Sequence, residues 1–311
     1  MMLTPTLIFY AILAGLGYGL MSTIYRLGQQ QGVSVQTIAF IVTLIGTVYG
    51  IAITWPSPFW HAPWQVSSLG FASGVSQYVV VLLIAAALRH GPLSPMNCAL
   101  FLGFALVILM ARLVWHETLS VMQGIGVAAA VLCVIFASFQ TEGAPQRDSQ
   151  PRTTRSWLLY VCILTGLFVI NALGSVSFKY LGMTPVSGKE SFASHYGYHY
   201  ITALYLSLGL CLGLHSLIQS KPQGPLRWRI GLGLVAGFGS VTGMSSMRLC
   251  ASLPAVFTFP VAALTVILGG ALVSVFLFRE RTSRAWWAMM ASGSLAGGCL
   301  IADALSKTNG G

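Results

Sequence analysis

The sequence predicts an all-α polytopic membrane protein, with ten transmembrane helices as two inverted five-helix repeats. Three observations carry this. Hydrophobic residues make up 56% of the 311-residue chain and charged residues only 7%, against roughly 25% charged in a soluble protein. The apolar residues fall into ten runs of about the 20 residues that a membrane helix needs. The second five runs also repeat features of the first. The lone acids Glu117 and Glu280 each sit at a joint between two runs, 163 residues apart, and the same offset carries Gly74 onto Gly237.

The runs span about 6–25, 35–55, 66–88, 93–115, 119–139, 156–178, 196–218, 230–250, 253–278 and 285–305. The first lacks a basic leader and a small-residue cleavage site, so it reads as a span and not as a removed signal peptide. Trp55, Trp60, Trp64, Trp115, Trp157, Trp228, Trp286 and Trp287 fall at or near run ends, where indoles sit at a bilayer interface. The longest polar gap holds Glu142, Arg147, Asp148, Arg152 and Arg155, and it divides the runs five and five. The expected units are therefore a first repeat at 1–140, a linker at 141–155, a second repeat at 156–306 and a tail at 307–311. Ser22-x-x-Tyr25-Arg26 closes the first run as Ser175-x-x-Phe178-Lys179 closes the sixth. Five is odd, so the second copy enters from the opposite face, and a site between such repeats lies near the midplane.

Several classes fall away. The net charge of +10 comes from bases in loops and helix ends, which membrane orientation explains without nucleic acid. Cys98, Cys133, Cys162, Cys211, Cys250 and Cys299 lie in separate runs with no Cys-x-x-Cys pair; they read as small packing residues. Gly15-x-Gly17-x-Gly19 follows no strand, so it is close packing within a helix. His195-x3-His199 has metal-ligand spacing but no well-placed third ligand. Its tyrosine-rich surroundings read as an interfacial belt. No catalytic set, metal or cofactor is expected, and the chain does not read as an enzyme.

The uncharged polar residues inside the runs are the candidate substrate contacts. Tyr18 and Ser22 are one turn apart on the first helix, and Asn171 and Ser175 on the sixth. Gln77 and Tyr78 lie mid-third helix, Asn97 early in the fourth, and Thr242 on the eighth beside Ser240, onto which the offset maps Gln77. A buried amide without a partner costs ~1–3 kcal/mol, so each needs a neighbouring helix, water or a solute. Polar glue between helices accounts for any one of them; their concentration on the first, third, sixth and eighth helices points to a shared polar cavity.

Glu117 and Glu280 either cap the start of the next helix or act as proton acceptors or counter-ions to Arg112 or Arg279; with Arg112 and Arg248 they form the possible charge or coupling set. Arg26 and Lys179 form a repeat-related pair, suited to a carboxylate or phosphate or to snorkelling; snorkelling is the reading for Arg89 and Lys179. Asp303 is expected in the final turn of the last helix. The absence of a deeper acid weighs against simple cation coupling.

Glu117, Leu119, Ser120, Gln123 and Gly126, with Ala86-Ala87-Leu88 followed by Gly91-Pro92-Leu93-Ser94, resemble the EamA-type ten-helix permeases of the drug/metabolite transporter superfamily. Glu280 and Thr282-Ser283 continue the pattern in the second half, but Trp286 and Met289 replace its Gln and Gly. The resemblance implies a secondary-active permease or exporter of a small organic metabolite, proton-coupled or exchanging, without ATP hydrolysis. The expected location is a prokaryotic-type inner (plasma) membrane. The expected partners are a small-molecule solute and the bilayer, with no nucleic acid, as monomer or homodimer. An intramembrane enzyme acting on lipid or peptide and a non-transporting scaffold are the alternatives. Orientation divides the evidence. Five Lys and Arg residues fall on the terminal side and eleven on the other, which puts both termini outside, whereas the resemblance implies cytoplasmic termini.

Overall fold

The structure, a computed structural model, describes residues 5–55, 57, 59–91, 93–114, 120–139, 154–187, 190–218, 224–250, 255–279 and 282–309. Its helices are α1 (Pro5–Gln30), α2 (Val35–Thr54), α3 (Trp64–His90), α4 (Leu93–Phe101), α5 (Phe104–Val114), α6 (Val121–Ser138), α7 (Thr154–Met183), α8 (Phe192–Ile218), α9 (Leu226–Leu249), α10 (Ala255–Phe276) and α11 (Arg284–Asn309). A short antiparallel pair, β1 (Pro185–Ser187) and β2 (Glu190–Ser191), joins α7 to α8.

Eight crossings are long and apolar enough to span a membrane, with α4 and α5 counted as one over Leu93–Val114. α6 contributes a shorter apolar helix, and with the 26-residue α1 the described residues hold ten helical segments, α4 and α5 again counted as one. Long apolar side chains on the perimeter, such as Val48 on α2, Leu217 on α8 and Phe238 on α9, are exposed. That suits a protein whose solvent at this depth is hydrocarbon.

The packing has twofold logic. α1 packs on α9 as α7 packs on α3; α3 packs on α8 as α9 packs on α2; α1 packs on α10 as α7 packs on α4 and α5. The self-paired contacts, α2 on α8, α4 on α10 and α6 on α11, lie on the exchange axis. One close approach shows how sequence sets this. Gly70 and Gly74 let α3 settle on the backbone of α8, where a Cβ on Gly74 would collide with the Leu204 carbonyl. Their partners 163 residues on, Gly233 and Gly237, seat α9 against Ile41 and Ile45 of α2. Small residues four apart allow this approach where lipid gives no hydrophobic drive between helices.

Three expectations need correction. α1 runs on to Gln30, so Arg26 lies inside the helix. It is buried and donates from Nη1 to the Leu88 carbonyl at 3.0 Å, while Gln29 Nε2 donates to the Ala85 carbonyl at 3.3 Å; Leu88 lies in the last turn of α3, where carbonyls lack intrahelical partners. The fourth crossing is not one helix: it breaks at Leu102 and Gly103 without a proline. Gly103 lies tight against α7, where an added Cβ would be 3.2 Å from the Phe168 carbonyl, and the hydrogen-bond ladder restarts with Ala105 N–H donating to Leu102. α11 continues to Asn309, so Asp303 is not in its final turn. It is buried and accepts from Gln123 Nε2 at 2.8 Å.

Candidate functional site

A cavity of about 190 Å³ lies between the halves. Its wall obeys the repeat. Tyr18, Met21 and Tyr25 of α1 have partners Asn171, Gly174 and Phe178 of α7, 153 residues on. Val42, Gln77, Val81, Ile84 and Leu100 have partners Tyr205, Ser240, Met244, Met247 and Ala263, 163 residues on. Each of these sixteen positions lines the cavity, so the axis relating the halves passes through it.

The polar groups of the wall are joined in short chains. Asn171 Nδ2 donates to the Leu100 carbonyl at 2.6 Å, at the break between α4 and α5. Gln77 Nε2 in turn donates to Asn171 Oδ1 at 3.3 Å. Tyr200 donates to Ser73 Oγ at 2.8 Å, Tyr205 and Ser240 share a 2.7 Å bond, and Tyr18 donates to Met244 Sδ at 3.0 Å. A membrane interior demands this pairing, since no bulk water is present to satisfy an amide or hydroxyl.

Of the expected contacts, the cavity gathers Tyr18, Gln77, Asn171 and Ser175. Four others lie elsewhere. Ser22 is buried outside the wall. Tyr78, one residue and so about 100° from Gln77 on the helix, turns to α8 and bonds His215 Nδ1 at 2.9 Å. Thr242, about 200° from Ser240, lines a separate concavity between α2 and α9 with Tyr49 and Phe238. Asn97 is 1% exposed and packs against Gly270 of α10, and neither amide atom has a partner. The wall also holds Tyr25, Ser73, Tyr200 and Tyr205, which the sequence reading did not select. An i, i+3, i+7 stripe of Tyr18, Met21 and Tyr25 was the available signal for one of them.

Of the charged candidates, Arg112 and Arg248 do not line the cavity. Arg248 lies over the Tyr198 ring at 3.9 Å, beside the Tyr49–Ser245 hydrogen bond of 3.0 Å. Arg112 is exposed on the last turn of α5. Glu117 and Glu280 lie outside the described residues. The described start of α6 is capped by Ser120 and Gln123. Ser120 Oγ accepts the Gln123 N–H at 3.1 Å, and Gln123 Oε1 accepts the Ser120 N–H at 3.2 Å, the reciprocal geometry of a capping box. At the matched start of α11, Ser283 Oγ accepts the Trp286 N–H at 3.1 Å. Trp286 cannot return the second bond, and its Nε1 instead donates to Ser94 Oγ at 3.4 Å. His199 is bonded through Nε2 to the Ser57 carbonyl at 2.9 Å. No three His, Cys, Asp or Glu among the described residues group to hold a metal ion.

Residues 5–139, which include this capping box, match the model of the EamA-like transporter family. This stretch, somewhat under half of the chain, is similar to EamA-like transporters. The EamA-like pattern noted at Ser120, Gln123 and Gly126 thus has a physical role, since its Ser and Gln close the start of the fifth crossing. A solved crystal structure matches with a TM-score of 0.64, over 96% of this chain and 97% of its own, at 16% identity; at that identity the likeness concerns the fold. No curated protein matches the chain. The shared fold thus extends over both halves, and the run of long apolar helices marks a multi-pass integral membrane protein.

Proposed function

We propose that the chain is a secondary-active permease or exporter that moves a small organic metabolite by alternating access, driven by exchange or by proton coupling, in a prokaryotic-type inner membrane. The observation that carries the reading is the cavity on the axis between inverted repeats, built from equivalent positions of both. Two halves of one fold can exchange conformations about such a site and open it first to one face and then to the other. Tyr18, Gln77, Asn171 and Ser175 are the proposed contacts, joined by Tyr25, Ser73, Tyr200 and Tyr205. Reconstitution into proteoliposomes tests this. Solutes that raise the melting temperature of the purified protein are expected to show saturable counterflow that empty liposomes lack. Stabilising solutes without protein-dependent flux would overturn it.

A further inference from the structure

We infer that the cavity takes an uncharged solute built on one ring, which donates an N–H or O–H to Gln77 Oε1. The inference rests on the transporter reading above and narrows its substrate class. Size sets the first limit. A dry cavity of about 150 Å³ holds benzene, so about 190 Å³ admits one ring with a short polar substituent. Phe101, Phe178 and Phe259 line it and offer faces and edges for that ring.

Charge sets the second limit. Among the described residues of the wall there is no Asp, Glu, Lys, Arg or His. The buried Arg26 is not among them and is engaged with the Leu88 carbonyl. A carboxylate entering this wall meets no cation and an ammonium meets no anion, so each forfeits its hydration without a counter-charge. Ring faces recover only part of that loss for a cation.

Polarity sets the third. The Leu100 carbonyl can only accept, so Asn171 must turn its NH₂ towards it. Asn171 Oδ1 is then the acceptor for Gln77 Nε2. This orientation leaves Gln77 Oε1 as the open end of the relay, and an amide oxygen can only accept. The hydroxyls of Tyr18, Tyr200 and Tyr205 are already engaged with Met244, Ser73 and Ser240. The relay therefore asks the solute for a donor.

Benzamide, benzoate and benzamidine are near-isosteric and differ chiefly in charge, so they separate these limits. Binding of each to the full-length protein in nanodiscs is measured by calorimetry. Benzamide is expected to bind at least roughly ten-fold tighter than either ion, and Gln77→Leu to weaken it by a similar factor. Gln77→Glu keeps acceptor oxygens and adds a negative charge; it is expected to reverse the preference towards benzamidine, and it serves if Gln77→Leu fails to fold. The inference is overturned if an ion binds as tightly as benzamide, if neither variant changes the ranking, or if none of the three binds at about 10 mM. Benzamide that binds but never crosses proteoliposomes would leave this assignment standing and sink the transporter reading instead.

Discussion

The two halves build the same wall from different chemistry. At matched places the first half has Tyr18, Gln77, Val81 and Ile84, and the second has Asn171, Ser240, Met244 and Met247. The scaffold is symmetric, but the amides meet on one side, where Gln77 reaches Asn171, and hydroxyls meet on another, where Tyr205 reaches Ser240. The repeat therefore constrains where wall residues stand and leaves their chemistry free. A duplicated fold can in this way hold a solute in one preferred orientation while keeping two equivalent routes of approach.

Substitutions at matched positions test how deep the symmetry runs. The largest difference is expected at the helix seams. A methyl at Gly74 meets the Leu204 carbonyl and Ser207, so backbone must shift, whereas at Gly237 it meets the tip of Ile45, which can turn away. Gly74→Ala is expected to cost about 3 kcal/mol and Gly237→Ala about 1 kcal/mol, read as melting temperature in detergent. Equal shifts would mean that the two seams are mechanically alike. Next comes the pair of Asn171 and Tyr18. Asn171→Ala strands both the Leu100 carbonyl and the Gln77 amide, at about 2–3 kcal/mol, with loss of counterflow. Tyr18→Phe removes a single contact to sulfur, at under about 1 kcal/mol. If Tyr18→Phe proves the more damaging, the amide relay is not the main polar element of the wall.

The capping residues give a smaller contrast. Gln123→Ala removes one half of the capping box and the bond to Asp303, an expected loss of about 1–2 kcal/mol. Trp286→Phe removes only a 3.4 Å bond to Ser94, an expected loss of about 0.5 kcal/mol. The smallest effect has the opposite sign. Asn97 carries an unpaired buried amide, so Asn97→Leu is expected to raise stability by up to about 1 kcal/mol. A fall in melting temperature would mean that the amide makes a bond in another conformation that the protein visits.

The crossings were legible because hydropathy over a membrane length leaves little choice of element, and the Gly74–Gly237 offset already marked the repeat. Gln77 and Asn171 were legible because an amide deep in an apolar run must find a partner. Asn97 has the same signature, yet α4 buries it against α10, since nothing in one helix says which neighbour covers a given face. Thr242 and Tyr78 lie off this wall for a simpler reason: one or two residues along a helix from a wall position is a different face. Tyr200 was hidden by the tyrosine-rich start of α8, which reads as an interfacial belt until the helix is placed, and Tyr205 lies beyond that belt. The break at Leu102–Gly103 has no proline to announce it, and it depends on how closely α7 approaches.

That break has a mechanical consequence. In a continuous helix the Leu100 carbonyl would belong to residue 104; here it receives the Asn171 side chain from across the molecule. Straightening the fourth crossing therefore has to free Asn171, and pulling on Gln77 strains the same joint. The amide relay acts as a tie-rod between the wall of the cavity and the elbow of a helix, so a force applied at one end arrives at the other.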